Sequence, residues 1–195
     1  MHFTLADLVM DITQNACESG AQLVELEVTE GGGEFRFVTR DNGKGMTKEE
    51  MARAFDPFVT DGVKHPHRKI GLGLPFLVQT AEQSGGGWDA QSEKGKGTTV
   101  TAWFNTDNVD TPPVGDLPGM FRTVMMFGGP DDVVIHRKRQ VGELGDTPGK
   151  LPLDYTIRRS EIEEALGGLE DTGSLVLLTK YLHSMEDDED DEDEE

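Results

Sequence analysis

The chain holds a single cysteine, Cys17, in 195 residues, so no internal disulfide can form and the composition fits a reducing compartment. Long apolar runs are missing, and so is the short apolar stretch of a secretory signal. A soluble, cytoplasmic protein without a membrane span is expected. Positive charge is scarce: 18 Lys and Arg stand against 38 Asp and Glu, for a formal charge of −20. That balance argues against DNA or an anionic membrane as the primary ligand. Half of the excess is local, because Glu186 to Glu195 is an unbroken acidic run. Such a run repels itself and buries no apolar surface, so residues 186–195 read as a solvated, disordered tail, or else as an electrostatic arm for a basic partner. What is present is enough apolar residues, 35%, for one well-buried core, or one core plus a small appendage.

Along the chain, Thr4 can cap a helix running to about Ser19, since Leu5, Leu8, Val9, Ile12 and Ala16 recur at helical spacing and Gly20 can take the left-handed stop. Asp7, Asp11 and Asn15 follow at steps of four and share the opposite, polar face. Leu23 to Thr29 and Glu34 to Thr39 read as a hairpin around Gly31 to Gly33, and the second strand delivers Asp41-Asn42-Gly43-Lys44-Gly45. Thr47 with Glu50 is a capping box for a short helix through Arg53. Asp56 to Lys69 is polar and aperiodic, and is expected to be a mobile loop. A helix follows from about Leu72 to the glycines at 85–87, then strands at about Trp88 to Gln91 and Thr98 to Phe104 around Gly95-Lys96-Gly97.

Residues 107–118, with three prolines and one glycine, read as a linker. Beyond it, Phe121 to Phe127 and Val133 to Lys138 flank Gly128-Gly129-Pro130-Asp131 as a second hairpin. Ser160 with Glu163 is read as the cap of a short helix, and Leu175 to His183 as another helix. The expected units are 1–106, the linker, a C-terminal hairpin with helices over 119–185 that packs on or beside the sheet, and the tail.

Three features carry chemistry. Asn15 offers a neutral oxygen to a magnesium ion that otherwise keeps water and phosphate oxygens, and Asp11, one turn earlier, can orient or deprotonate a water or an acceptor hydroxyl. Asp41 ends a strand ahead of two glycines that let the backbone pass close to a flat ring. A carboxylate there can accept the exocyclic amino group of adenine, whereas guanine would present an acceptor. Gly71-Leu72-Gly73-Leu74 opens a helix whose unobstructed N–H groups can hold phosphate. Taken singly, each also reads as ordinary surface: solvated side chains on a helix, an Asp-Asn-Gly turn, two glycines before a helix.

In this order and spacing, residues 1–104 resemble the catalytic and ATP-binding domain of sensor histidine kinases. These belong to the GHKL superfamily, with type II topoisomerases, mismatch-repair ATPases and heat-shock chaperones of the ninety class. Asp11-Ile12-Thr13-Gln14-Asn15-Ala16 is similar to the N box, Asp41-Asn42-Gly43-Lys44-Gly45-Met46 to the first glycine box and Phe55-Asp56-Pro57-Phe58 to the F box. Gly71-Leu72-Gly73-Leu74 is similar to the second glycine box and Gly95-Lys96-Gly97-Thr98-Thr99 to the last. The resemblance implies an α+β fold, a two-layer sandwich with helices on one face of a mixed sheet, extended by a small C-terminal α+β part. It implies ATP and Mg²⁺ as cofactors, Asn15 as the metal ligand, Asp11 as the catalytic acid or base and Asp41 on adenine. It further places Gly43, Gly45, Met46, Phe58, Lys69, Gly71, Leu72, Gly73, Leu74 and Thr98 around the nucleotide, with Phe55 and Phe58 packed beneath the lid.

The sequence also departs from the kinase pattern. Residues 1–4 alone precede the helix that carries the N box, so the dimerising hairpin with its phosphoaccepting histidine is expected to be absent. Lys69 stands where a glycine often does, and with Lys64, His65, His67 and Arg68 it makes a basic loop that either folds over the triphosphate or remains a charged surface. The usual opening strand is not seen, and the hairpin Phe121 to Lys138 is expected to add to the sheet in its place, or to pack beside it. Two functions follow: a stand-alone kinase-type subunit that passes the γ-phosphoryl group to a separate protein partner, or an ATP-gated switch that binds a partner without phosphorylating it.

Overall fold

The computed structural model describes residues 3–56, 73–140 and 152–186. Thr4 and Asp7 begin the fold by satisfying each other: the Asp7 carboxylate accepts the Thr4 N–H at 2.9 Å, and the Thr4 hydroxyl oxygen accepts the Asp7 N–H at 3.1 Å. This reciprocal cap covers two donors that a helix start leaves open. Helix α1 (Leu5–Cys17) then buries Leu5, Leu8, Val9, Ile12 and Ala16 and leaves Asp11 and Asn15 exposed on its other side. Strands β1 (Leu23–Gly31) and β2 (Glu34–Asp41) form the expected hairpin, turned by Gly32 and Gly33 at φ +64° and +72°, the left-handed pair a tight two-residue turn requires. Helix α2 (Lys48–Ala54) carries the Thr47–Glu50 capping box. Helix α3 (Gly73–Gln83) leads into β3 (Gly87–Glu93) and β4 (Gly97–Asn105).

The second half adds helix α4 (Leu117–Met125), strands β5 (Asp132–Arg139) and β6 (Leu153–Arg158), and helices α5 (Arg159–Leu166) and α6 (Thr172–Glu186). One mixed sheet joins both halves in the order β3-β4-β2-β1-β5-β6, antiparallel throughout except for the β1–β5 pair. Alternation along the strands aims Leu26, Val28, Phe35, Phe37, Ala102, Phe104 and Ile135 at one face, where α1, α3, α4 and α6 pack. Burying a side chain such as Leu5 or Phe121 there contributes about 1.5–3 kcal/mol each. The opposite face is polar, with pairs such as Arg40–Glu27 at 3.2 Å. The α+β sandwich expected from the sequence is the fold observed.

Three expectations fail. Phe121 to Phe127 is not a strand of a hairpin but belongs to α4: Leu117, Met120, Phe121, Val124 and Met125 recur at helical spacing and are all buried, and the Asp116 carboxylate caps the helix by accepting the Gly119 N–H at 2.9 Å. Only the second limb, Val133 to Lys138, is strand, and it extends the sheet beside β1. Ser160 does not cap α5. Asp132, on the adjacent strand, accepts both the Ser160 N–H and its hydroxyl at 3.1 Å, so a carboxylate from outside replaces the local box. Glu186 does not belong to the solvated tail but is the last residue of α6, with its carboxylate on buried Arg137. Strand β6 was not anticipated, although Leu153, Tyr155 and Ile157 alternate. The proline-rich 107–118 stretch is docked rather than loose, since the Pro113 and Val114 carbonyls accept the Leu5 and Ala6 N–H groups at 2.9 Å.

Candidate functional site

Strand β2 ends at Asp41, which faces the helix layer together with Phe37 and Thr39 and pairs across the ladder with Thr98 of β4; Thr98 in turn pairs with Ser92 of β3. A half-buried row of Asp41, Thr98 and Ser92 thus crosses three strands at one end of the sheet. The Asp41 carboxylate is used on one side only. Its Oδ1 accepts the Ser19 hydroxyl and the Gly43 N–H, each at 2.9 Å, while Oδ2 has no hydrogen-bond donor among the described residues. Ser92 Oγ accepts the Met46 N–H at 2.7 Å and lies 2.9 Å from Thr98 Oγ1.

Glycine is obligatory where this loop meets its neighbours. A Cβ on Gly43 would strike the Ser19 hydroxyl, and one on Gly97, at φ +112°, would strike the Asp41 carbonyl. Gly45, at φ +58°, lies against the Glu93 carbonyl in the same way. The loop after β2 is therefore pressed onto the β3–β4 turn, and the Lys44 carbonyl accepts the Gly95 N–H at 2.7 Å to hold it there. The exposed Lys94–Glu50 pair at 2.9 Å ties α2 to the same turn. The Glu50 carboxyl is held below its usual range by the Thr47 N–H and then by the Lys94 ammonium.

The third part is the meeting of α1 and α3. Position 73, the first residue of α3, lies beside both polar residues of α1: a Cβ there would sit 3.6 Å from Asn15 Nδ2 and 3.7 Å from the Asp11 Cβ. The start of α3, whose first N–H groups have no partner within the helix, is thus brought next to Asn15 and Asp11. Leu74 packs partly buried on the core behind it. Phe55, at the end of α2, stacks on Trp88 with ring centroids 4.6 Å apart and an interplanar angle of 16°. Cys17, one turn beyond Thr13, is buried, and burial pushes its thiol up to about 11, which keeps it un-ionised.

Of the residues singled out from sequence, Asp41, Gly43, Gly45, Met46 and Thr98 gather at the sheet end, and Asp11, Asn15, Gly73 and Leu74 at the α1–α3 contact. Phe58, Lys69, Gly71 and Leu72 lie outside the described residues, as does the basic loop around them. Sequence reasoning passed over Ser19 and Ser92. Both are small polar residues at element ends, and nothing local marks a serine whose partner is 22 residues away.

Residues 3–108 match the family described as histidine kinase-, DNA gyrase B-, and HSP90-like ATPase. The sensor histidine kinase ZraS of Escherichia coli (strain K12) is 26% identical over 113 residues, 57% of this chain and 23% of that protein. The sensor kinase CckA of Brucella abortus (strain 2308) is 26% identical over 143 residues, 68% of this chain and 15% of that protein. The DNA mismatch repair protein MutL of Thermus aquaticus is 36% identical over 71 residues, 36% of this chain and 13% of that protein. The chain thus spans less than a quarter of the length of each of these relatives. An ATPase domain of this type implies a nucleotide pocket, and the match takes in more than half of the chain. The chain belongs to the histidine kinase-, DNA gyrase B- and HSP90-like ATPase family, its domain being similar to the ATP-binding domains of histidine kinases.

Proposed function

We propose that the chain binds Mg·ATP at this end of the sheet and serves as a kinase-type subunit that transfers the γ-phosphoryl group to a separate protein partner. The observation that carries the reading is the half-used carboxylate of Asp41. An oxygen on a half-buried side chain, oriented by its neighbour and left without a donor among the described residues, suits an incoming N–H, and the 6-amino group of adenine supplies one. Thr98 and Ser92 add hydroxyls beside it. The start of α3 would hold phosphate oxygens, and Asn15 beside it would hold the metal through its amide oxygen. Among the described residues no three His, Cys, Asp or Glu side chains form a metal-binding group, which suits an ion held mainly by phosphate and water. When bound, Mg²⁺ would offset phosphate charge as it shifts to the leaving diphosphate. Asp11, one turn from Asn15, would orient the acceptor or take its proton as the bond to the γ-phosphorus forms and the bond to the β-phosphate oxygen breaks.

Titration calorimetry with ATP and Mg²⁺ tests the pocket, and absence of heat would sink it. Incubation with γ-labelled ATP and cell extract tests the transfer, with label on a protein as the expected result. A second reading, an ATP-gated switch or slow ATPase that binds its partner without phosphorylating it, is favoured by the MutL similarity, since that protein's name is not that of a kinase. Label released only as inorganic phosphate, or retained as ATP, selects this second reading. No described helix is long and apolar enough to cross a membrane.

A further inference from the structure

We propose that Ser19 is a positioning residue that sets the base selectivity of the pocket: by fixing Asp41 it favours a 6-amino purine over a 6-oxo purine. The inference rests on the nucleotide reading above and deepens it. An aspartate at a strand end can turn its two oxygens freely, and a carboxylate that turns can offer either oxygen at a range of angles. Here the rotation is blocked. The Ser19 hydroxyl and the Gly43 N–H both donate to Oδ1 at 2.9 Å, from just beyond α1 and from the loop respectively, so Oδ2 is held in one direction as the outward oxygen, without a donor among the described residues.

The contact is built on both sides. Gly43 is buried and its missing side chain is what admits the hydroxyl, because a Cβ at 43 would collide with Ser19 Oγ. The Ser19 carbonyl independently accepts the Lys44 N–H at 3.2 Å, so the end of α1 is joined to the loop by backbone as well as by side chain. Removing the hydroxyl alone therefore loosens the carboxylate, leaving it the Gly43 N–H as its one described donor, without detaching helix from loop. A fixed acceptor rewards a ligand that brings an N–H and penalises one that brings a carbonyl oxygen to the same spot. The resulting gap between ATP and its 6-oxo analogue, inosine triphosphate, depends on how tightly the acceptor is held.

The test is calorimetric titration of ATP and of inosine triphosphate into the wild-type chain, S19A, S19T, G43A and D41N, with a thermal melt of each to establish that it is folded. In S19A the preference for ATP over inosine triphosphate is expected to shrink on the order of tenfold, almost wholly through weaker ATP binding. S19T, which restores a hydroxyl, is expected to recover most of the preference, and G43A, which evicts it, to lose it as S19A does. S19A combined with D41N is expected to lose no more than D41N alone. An unchanged preference in a folded S19A overturns the role of Ser19 while leaving the nucleotide pocket standing. Equal weakening toward both nucleotides, or full additivity with D41N, overturns it too, since that is the mark of a merely structural contact. No binding of ATP by the wild-type chain overturns both readings together.

Discussion

Asp41 and Arg137 are charged side chains on the same, helix-covered face of one sheet, yet their surroundings differ in kind. The Arg137 side chain is wholly buried and each of its nitrogens has an acceptor: Nε on Glu186 at 2.9 Å, Nη1 on the Lys138 carbonyl at 2.9 Å, and Nη2 on Glu30 at 2.7 Å. Glu186 in turn accepts the Tyr155 hydroxyl at 2.7 Å and lies 3.7 Å from Arg139. This network is closed, and it fastens the last residue of α6 to β1, β5 and β6. Asp41, by contrast, has one oxygen doubly engaged and the other without a donor among the described residues. Burial of a charge is costly unless its hydrogen bonds are met, so a closed network holds a fold together whereas an open one awaits a partner.

The sharpest way to break the comparison is at the closed end. Glu186→Ala leaves the Arg137 guanidinium buried without its main carboxylate, and is expected to cost about 3–5 kcal/mol in chemical denaturation. ATP affinity of the folded fraction should stay as it was. A stability change below about 0.5 kcal/mol would show that Arg137 finds water or another acceptor. At the open end the order is reversed. Asp41→Asn is expected to weaken ATP binding by about 1–3 kcal/mol in calorimetry. Unchanged ATP binding would falsify the adenine assignment.

Smaller effects sharpen the contrast. Burial, then the charge of Glu186, raises the Tyr155 phenol well above its ordinary value. The native state thus keeps a proton that the unfolded chain releases near pH ~10. This contribution is complete below that pH and declines as pH rises through and beyond it. Tyr155→Phe should flatten the loss of stability on the alkaline side, as followed by circular dichroism from pH 9 to 11. The least effect is expected at Cys17, which packs with Ala16, Ala21 and Val24. Its raised pKa and burial predict slow reaction with a thiol reagent at pH 8 until the chain unfolds. Native labelling at the unfolded rate would contradict that packing.

Much of the fold was legible because much of it is local. The Thr47–Glu50 box, the stripe of α1 and the paired glycines between β1 and β2 are decided within four residues of chain. The α4 segment was misread because a window opening at Phe121 cut off Leu117 and Met120, which establish the helical spacing, and left a short apolar run that suits a strand equally well. The candidate site could be proposed from sequence as far as Asn15, Asp41 and the glycines, whose chemistry and order are written along the chain. Ser19, Ser92 and Glu186 were not, because each matters only through a partner far away in sequence.

The sequence by itself determined where most of the helices and strands lie and which of their faces are apolar, and it singled out the side chains proposed to handle a purine triphosphate. Tertiary structure alone decided that β5 lies parallel to β1, that Asp132 displaces the local cap of α5, and that Glu186 reaches Arg137 across 49 residues. It also decided that Ser19 spends its hydroxyl on Asp41. The physical reason is one of range. Backbone sterics and capping act over a few residues, whereas the partner of a buried charge is fixed only when packed layers bring distant segments to hydrogen-bonding distance.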